Sequence, residues 1–297
     1  MLRDIRAFFE TRGVLEVETP LLSRHAATDP AIHSLKSSWR GQGFFLATSP
    51  EFPMKRLLAA GSGPIYQVSK VFRDGERGRL HHPEFTMLEW YRPGFTLQDL
   101  IGEVDGLLHT LLPELDLPGA VVLDYEQALL DACGMRLDAG PDQVLPALRA
   151  LGWTGPMPEP AIWQDLLYGA VVIPGLGRDR PVFIANFPPD QAALAVIDPG
   201  PPPRAQRFEL ILRGVELANG FLELCDATEQ RQRFIGDNIK RRAQGLEVLP
   251  MDEHLLEALD AGLPPCAGVA LGLDRLLMVA CNSPSIDDVL AFPIERA

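Results

Sequence analysis

The stretch at residues 207–224 constrains this chain most, because it sets three glutamates inside otherwise apolar, strand-like sequence. In RFELILRGVELANGFLEL, the glutamates are Glu209, Glu216 and Glu223. The Asn219-Gly220 pair between apolar runs predicts a two-residue hairpin turn, which would put Glu216 opposite Glu223. Facing carboxylates repel one another unless a cation lies between or beside them. The stretch therefore predicts a site for a divalent metal, an ammonium group or both, unless the side chains simply reach solvent on an open sheet face.

A basic loop between two strand-like runs is the second informative feature. It begins at Arg73, in VFRDGERGRLHHPEF. Arginine forms paired, planar hydrogen bonds with phosphate oxygens and remains charged. Mg²⁺ prefers oxygen ligands and often bridges substrate phosphates, so carboxylates elsewhere in the chain would suit it. The loop therefore predicts a phosphate grip, with a solvated hairpin tip as the alternative.

A glycine-rich junction near the end of the chain is the third feature. Residues 267–278, AGVALGLDRLLM, read as a strand that turns through glycine into an apolar helix. Arg275 comes near the start of that helix. Small residues let a ligand approach the backbone closely, although strand–helix junctions of this kind are common.

The remaining pattern predicts an α+β fold with a largely antiparallel sheet. Helical spacing of apolar residues covers 2–12, 226–245 and 252–261 and most of an insertion at about 96–180, and residues 56–60 read as part of a short helix. Strand patterns cover 14–20, 43–48, 65–73, 84–91, 182–187, 207–212, 215–224 and 267–271. The expected arrangement is a single catalytic domain over 1–297 with antiparallel strands flanked by helices and a mainly helical insertion.

Composition excludes several classes of protein. The net charge of −13 argues against nonspecific coating of nucleic acid or anionic membranes, which needs a basic face. No uninterrupted apolar run is long enough for a transmembrane helix. The four cysteines are far apart and form no CxxC pair, which favours free thiols in a reducing cytoplasm over a zinc site or disulfides.

Taken together and in this order, the three features resemble the signature motifs of class II aminoacyl-tRNA synthetases. The first motif would be residues 2–20, the second the loop after Phe72, and the third residues 272–275. The segments TSPE, FTMLEWY and ELANGF are similar to those of the lysine branch. The anticodon-binding barrel of a full lysyl-tRNA synthetase has no counterpart here. The chain therefore resembles the stand-alone paralogues that attach (R)-β-lysine to elongation factor P.

This resemblance implies a ligase that uses ATP and Mg²⁺ to form an aminoacyl-adenylate and then transfers the acyl group to a lysine of elongation factor P. It also implies a cytoplasmic homodimer. The catalytic arginines would be Arg73 and Arg275. The ATP-binding residues would be Arg73, Asp74, Gly75, His82, Glu216, Leu217, Gly272 and Arg275. The lysine or (R)-β-lysine pocket would contain Ser49, Glu51, Tyr91, Asn219, Glu223 and Ala270, with Glu223 receiving the side-chain ammonium. Glu209 and Glu216 would hold the metal.

Two positions depart from the family pattern, and both concern ATP. The second motif usually reads Phe-Arg-x-Glu, but here Gly75 stands at the glutamate position and Glu76 follows one residue late. Where His-Asn-Pro is usual, this chain has His82 in place of asparagine. Two alternatives therefore remain: a lysine-activating enzyme that acts on tRNA, and a catalytically silent amino-acid-binding paralogue. The acidic charge disfavours the first, and the presence of both phosphate-binding arginines disfavours the second.

Overall fold

The structure is a computed structural model that describes residues 1–297 and divides into two compact units. Unit 1 comprises Met1–Leu100 and Leu222–Ala297, and unit 2 comprises Ile101–Phe221. Strands within the units pair mostly in antiparallel fashion and are flanked by helices, so the predicted α+β class is confirmed.

Most predicted elements are present, with small shifts at their ends. In chain order the strands are β1 (Leu15–Glu16), β2 (Leu22–Ser23), β3 (Lys36–Trp39), β4 (Gln42–Leu46), β5 (Ile65–Phe72), β6 (Glu84–Pro93), β7 (Val121–Asp124), β8 (Val182–Phe187), β9 (Ile197–Asp198), β10 (Arg204–Leu212), β11 (Val215–Leu222) and β12 (Cys266–Gly272). The α-helices are α1 (Leu2–Glu10), α2 (Glu51–Ala59), α3 (Leu97–Leu111), α4 (Tyr125–Cys133), α5 (Pro141–Ala150), α6 (Pro160–Leu167), α7 (Ile173–Gly175), α8 (Ala227–Ala243), α9 (Glu253–Gly262) and α10 (Leu273–Ala280).

The central strands of unit 1 follow the order β1-β5-β6-β12. Strand β1 runs parallel to β5, and the other neighbours are antiparallel. The register sets Glu89 of β6 between Gln67 of β5 and Ala270 of β12. Because residues directly opposite one another share a face of the sheet, these three side chains point to the same side. A glutamate thus lies in the middle of a buried sheet.

Helix α1 covers this sheet with aromatic side chains. Its Phe9 ring stacks on Tyr66 at a centroid distance of 4.4 Å and meets Trp90 edge-on at 5.3 Å. Three residues of the apolar face predicted from the spacing in residues 2–12 are buried, namely Ile5, Phe8 and Phe9, while Leu2 is exposed. The strand expected over 14–20 is limited to β1 (Leu15–Glu16), after which the Val17 N–H makes one more bond, to the Tyr66 carbonyl at 2.9 Å.

Unit 2 combines the predicted helices with strands in the order β11-β10-β8-β7, and β9 lies beside β10. Its core includes the tilted ring pair Tyr125 and Tyr168, whose centroids are 4.9 Å apart. Phe187 from β8 packs on both rings. The insertion at 96–180 contains α3 to α7. It also contains the short strand β7, which is parallel to β8 and which the helical pattern did not predict.

The hairpin prediction at Asn219-Gly220 is wrong. Strand β11 runs straight through both residues, and the turn lies at Arg213 and Gly214, whose φ angles are 53° and 70°. Gly220 instead lies against the ring of Phe208, and a Cβ at this position would overlap that ring. The glycine is therefore a packing requirement of the sheet and not a turn signal.

This shift changes the partners of the three glutamates. Glu209 is opposite Asn219, and Glu216 is opposite Ile211 across the register irregularity after Leu210. The predicted Glu216–Glu223 pair across a hairpin does not exist. Repulsion between those two carboxylates therefore cannot be the reason for a cation site.

Candidate active site

A buried group of polar side chains on α2, β6 and the segment after β11 forms the centre of unit 1. We call it the carboxylate pocket; its members are Ser49, Glu51, Lys55, Glu89, Tyr91 and Glu223. Lys55 is 2% exposed, and its Nζ lies 2.6 Å from Glu223 Oε2 and 2.7 Å from Glu51 Oε1. One turn of helix separates Glu51 from Lys55, so α2 aligns the two for an ion pair. The predicted ammonium receptor Glu223 is thus already paired with an internal ammonium.

Glu89 is the third carboxylate of the pocket and receives hydroxyl donors. Tyr91 Oη donates to Glu89 Oε1 at 2.5 Å, and Ser49 Oγ donates to Oε2 at 2.8 Å. The backbone N–H of Glu51 in turn donates to Ser49 Oγ at 3.0 Å. Ser49, Glu51, Tyr91 and Glu223, all predicted to bind the amino acid, are therefore connected through Glu89 and Lys55 in one network of hydrogen bonds and ion pairs.

The charges in this pocket do not balance. Burial by itself would lower the pKa of Lys55, but Glu223 and Glu51 raise it well above its usual range. Burial, reinforced by the charge of Glu51, raises the pKa of Glu89 to about 8 against the opposing hydroxyl bonds. Burial also raises the pKa of Glu223, although Lys55 opposes that shift. Three carboxylates face one lysine, so the pocket attracts a further cation or a proton.

Gly268 of β12 leaves the room that this arrangement needs. It is directly opposite Tyr91 in the register, and a Cβ there would overlap both the Tyr91 ring and the Glu223 carboxylate. Ala270, predicted to line the amino-acid pocket, is half-buried and opposite Glu89. A small side chain at both positions of β12 keeps open the face of the sheet from which Glu89 projects.

The basic loop predicted to bind phosphate follows β5; we call residues 73–83 the phosphate loop. Arg73 is about a quarter exposed and lies 3.5 Å from Glu76. Its guanidinium carbon is 5.2 Å from the centre of the Phe85 ring. The Arg73 Nε is buried without a hydrogen-bond partner, which costs free energy unless a ligand oxygen accepts from it. This orphaned donor fits an anionic ligand such as a phosphate.

The other catalytic arginine predicted from the sequence lies beside the same loop. Arg275 on α10 donates from Nε to the Leu80 carbonyl at 3.1 Å, and a terminal nitrogen lies 2.8 Å from His81 Nε2. Gly272 is the N-cap residue of α10. The Asp274 carboxylate accepts from the Thr86 N–H on β6 at 2.5 Å, which attaches the start of the helix to the strand after the loop.

The three remaining residues of the loop predicted to bind ATP differ in their surroundings. Asp74 and Gly75 are exposed, and the Asp74 N–H donates to the His33 carbonyl at 2.7 Å. His82 is buried, with Nδ1 2.5 Å from the Glu84 carbonyl and Nε2 accepting from the Ile294 N–H at 2.9 Å. Both ring nitrogens of His82 are therefore engaged within the protein.

Unit 2 gathers a second set of predicted residues around Arg207. This guanidinium donates to Asn219 Oδ1 at 3.0 Å and also pairs with the Glu209 carboxylate. Tyr168 Oη donates to the other Glu209 oxygen at 2.9 Å. Burial raises the pKa of Glu209 to about 7, although Arg207 opposes the shift. Glu209 and Asn219 are thus held together by an arginine that the sequence analysis did not single out.

The carboxylates of Glu209 and Glu216 in unit 2 were predicted to bind Mg²⁺. Glu216 is half-buried and Leu217 is buried on β11. No group of three or more histidine, cysteine or acidic side chains in the chain is arranged to hold a metal ion by itself. Mg²⁺ is commonly bound through one or two carboxylates plus substrate phosphates. Glu209 and Glu216 fit that partial role, with the phosphates of a nucleotide supplying other oxygens.

Sequence reasoning missed Lys55, Glu89, Arg207 and Gly268. Glu89 carried a signal, because it is the single charged residue in the apolar run TMLEW. Lys55 carried a weaker one, since a lysine four residues after a glutamate usually means an exposed helical pair. Nothing in the sequence alone distinguishes the buried pair from that exposed one.

No helix in this chain combines the length and the hydrophobicity that crossing a membrane requires. The family model for class II tRNA synthetases (D, K and N) matches residues 1–296. It therefore covers both units.

Curated relatives match the chain over almost all of its length. An elongation factor P–(R)-β-lysine ligase of Pectobacterium carotovorum is 48% identical, over 100% of this chain and 94% of the relative. Ligases of the same name from Hamiltonella defensa and Vibrio cholerae are 46% and 47% identical, with the same coverage. This degree of similarity over whole chains leaves little room for a different architecture.

Proposed function

This chain belongs to the class II aminoacyl-tRNA synthetase family, on the branch of the elongation factor P–(R)-β-lysine ligases, and we propose that it carries out the reaction of that branch. It activates (R)-β-lysine, or lysine, with ATP and transfers the acyl group to a lysine ε-amine of elongation factor P. The observation that carries this proposal is the carboxylate pocket, which contains the buried carboxylates of Glu89 and Glu223, the half-buried carboxylate of Glu51 and a single lysine.

The pocket suits a substrate that carries two ammonium groups. Lys55 neutralises one carboxylate charge and leaves two, so a diamino acid brings the missing positive charges. Glu89 is buried with two hydroxyl donors, and Glu223 shares Lys55 with Glu51, so a substrate with a neutral side chain would add no cation to this excess of carboxylates. We propose that the amino acid is bound by Glu89 and by the residues predicted from the sequence, Ser49, Glu51, Tyr91, Asn219, Glu223 and Ala270.

In the first step, a carboxylate oxygen of the amino acid attacks the α-phosphorus of ATP, and pyrophosphate leaves. We propose that Arg73 holds the α-phosphate and that Arg275 holds the γ-phosphate. Both can donate paired hydrogen bonds to phosphate oxygens. No covalent protein nucleophile is needed, since positioning and charge stabilisation lower the barrier. Asp74, Gly75, His82, Leu217 and Gly272 complete the proposed ATP site.

Mg²⁺ neutralises phosphate charge when it is bound with ATP. We propose that Glu209 and Glu216 contribute its protein ligands. The Glu209 carboxylate is paired with Arg207 and Tyr168, so these two side chains fix its orientation. An oriented carboxylate loses less conformational freedom when a ligand arrives.

In the second step, the ε-amine nitrogen of the acceptor lysine attacks the adenylate carbonyl carbon, an amide forms and AMP leaves. Elongation factor P as the acceptor, a homodimer and a cytoplasmic location all belong to this proposal. Action on tRNA does not, because the chain has a net charge of −13 and tRNA binding usually needs a basic surface.

ATP–pyrophosphate exchange with Mg²⁺ tests the first step. (R)-β-lysine and α-lysine are supplied separately, and transfer of the activated amino acid to purified elongation factor P is then followed by intact-protein mass spectrometry. We expect faster exchange with (R)-β-lysine and a single added acyl group on elongation factor P.

Two outcomes would contradict the proposal. Exchange that prefers α-lysine, with acylation of tRNA but not of elongation factor P, would establish the tRNA enzyme instead. Binding of amino acid by folded protein without any exchange would establish the silent paralogue.

A further inference from the structure

The phosphate loop is attached to the segment that follows α10, which we call the tail segment (residues 284–296). Arg77 makes the largest part of this attachment. Its guanidinium donates to both oxygens of Asp287 at 3.1 and 2.8 Å and to both oxygens of Glu295 at 2.8 and 2.9 Å. One arginine of the loop thus forms ion pairs with two carboxylates of the tail segment.

Backbone groups extend the contact along the loop. The Ile286 N–H donates to the Arg79 carbonyl at 2.9 Å, and the Ile294 N–H donates to His82 Nε2 at 2.9 Å. With the Nδ1–H of His82 donating to the Glu84 carbonyl at 2.5 Å, Nε2 is the ring nitrogen that accepts from Ile294. The tail segment therefore holds the loop at its tip and at its returning end.

We propose that the tail segment is a positioning element for ATP, which acts by fixing the conformation of the phosphate loop through Arg77 and His82. This inference rests on the proposed function, because that function assigns the loop to ATP. Arg77 is a positioning residue in it and not a phosphate ligand. Its donors are already directed at Asp287 and Glu295, and the two carboxylates would repel a phosphate brought to the same guanidinium.

The tail contacts should strengthen ATP binding. A loop with glycines at positions 75 and 78 has many conformations when it is unrestrained, and binding must select the one that presents Arg73 to the α-phosphate. If contacts restrain the loop before ATP arrives, less conformational entropy is lost when ATP binds. Loss of the tail contacts should therefore weaken ATP binding and leave the carboxylate pocket, which has no residue in either segment, unchanged.

The opposite reading makes the tail segment inhibitory. In that case Asp287 and Glu295 occupy an arginine that ATP would otherwise use, and their removal would strengthen ATP binding. The two readings predict opposite signs for the same variant, so one measurement separates them.

The test compares Arg77→Gln, the double variant Asp287→Asn/Glu295→Gln and the triple variant. The pair Arg231–Glu253, which joins α8 to α9 through two hydrogen bonds of 2.9 and 2.6 Å, supplies the control Glu253→Gln. We expect the KM for ATP to rise about three- to tenfold in the first three variants, with unchanged KM for the amino acid, since exposed ion pairs have modest individual effects. The triple variant should equal the single one, because all three remove the same interaction.

Hydrogen–deuterium exchange of the peptide that covers residues 74–83 separates this inference from the proposed function, because it needs no catalysis. We expect faster exchange there in the Asp287→Asn/Glu295→Gln variant and no change in Glu253→Gln. Unchanged exchange would overturn the inference, and so would a lower KM for ATP in that variant. If the parent protein has no ATP–pyrophosphate exchange, the proposed function fails. The hydrogen–deuterium exchange rate of the loop still decides whether the tail segment restrains it.

Discussion

Lys55 and Glu223 form a buried ion pair in which Nζ lies 2.6 Å from Oε2, and both side chains are at most 2% exposed. Lys55 also pairs with Glu51 at 2.7 Å, so one internal ammonium bridges two carboxylates. A substrate ammonium that approaches Glu223 therefore meets a carboxylate whose position is already fixed. The lysine thereby orders the pocket, and the unbalanced carboxylates leave it attractive to cations.

Replacement of Lys55 by methionine should destabilise the fold strongly. The buried Glu223 and the half-buried Glu51 would lose their shared cation, and a broken buried pair costs about 3–5 kcal/mol. Glu223→Gln should cost less free energy of unfolding, because Lys55 keeps its partner Glu51. Urea unfolding followed by circular dichroism measures both values. Equal losses in the two variants would show that Lys55 does not bridge the carboxylates.

Glu223→Gln should affect substrate binding more than it affects stability. In Glu223→Gln, we expect the KM for the amino acid to rise about 10- to 100-fold, the effect of losing a charged hydrogen-bond partner. The KM for ATP should stay within twofold of the parent, about the scatter of such comparisons. An unchanged amino-acid KM in folded Glu223→Gln would remove Glu223 from the substrate site.

The raised pKa of Glu89 makes stability depend on pH. The pKa of this carboxyl is about 8 in the folded chain, against an ordinary value of 4.5, because of its burial and the nearby charge of Glu51. Folding thus takes up a proton between these two values, and the free energy of unfolding should fall as the pH rises from about 5 to about 8. Urea unfolding at pH 5.5 and pH 8 tests this.

The variant Glu89→Gln isolates the contribution of Glu89, because Glu209 and Glu223 shift in the same direction and remain. We expect the fall in stability between the two pH values to be smaller in Glu89→Gln, by about 1.4 kcal/mol for each pKa unit that Glu89 contributes. The same pH dependence in parent and variant would mean that Glu89 ionises normally.

The sequence predicts the fold well where pattern and local chemistry agree. Strands β5, β6 and β8 come from runs rich in β-branched and aromatic residues, and their bounds are close to those expected. The Asn219-Gly220 turn failed because the same dipeptide satisfies two physical demands. A glycine is needed at a tight turn, but it is equally needed where a ring such as Phe208 packs against the backbone.

The site was predicted only in part, since three charged residues in apolar runs were found, while Glu89 in a similar run and the cationic partners were not. Glu209, Glu216 and Glu223 stand out in sequence, but Arg207 and Lys55 look like ordinary surface charges until the fold buries them. Long-range contacts decide this, as in the tail segment, where Arg77 reaches Asp287 and Glu295 more than 200 positions away. Local spacing contains no information about such pairs.

Arg275→Ala should abolish adenylate formation while the fold survives. The half-buried Arg275 bonds the Leu80 carbonyl, and its loss removes a proposed donor to the γ-phosphate. We expect ATP–pyrophosphate exchange to fall by about 10²- to 10³-fold, the effect of removing one preorganised charge-stabilising donor. The exposed Arg231→Ala on α8 is the matched control and should keep parental exchange. Parental exchange in folded Arg275→Ala would exclude the proposed role.

Gly268→Ala tests whether the close approach of Tyr91 and Glu223 to β12 serves the binding of the amino acid. A Cβ at position 268 would overlap the Tyr91 ring and the Glu223 carboxylate, so both must shift from the positions that the pocket requires. We expect the KM for the amino acid to rise about tenfold or more, as a misplacement of about 1 Å does in other enzymes, with little change in the KM for ATP. Gly43→Ala on β4 is the control, because a Cβ there meets nothing within 4 Å. If Gly268→Ala raised the two KM values equally, the glycine would support the sheet as a whole and not the pocket.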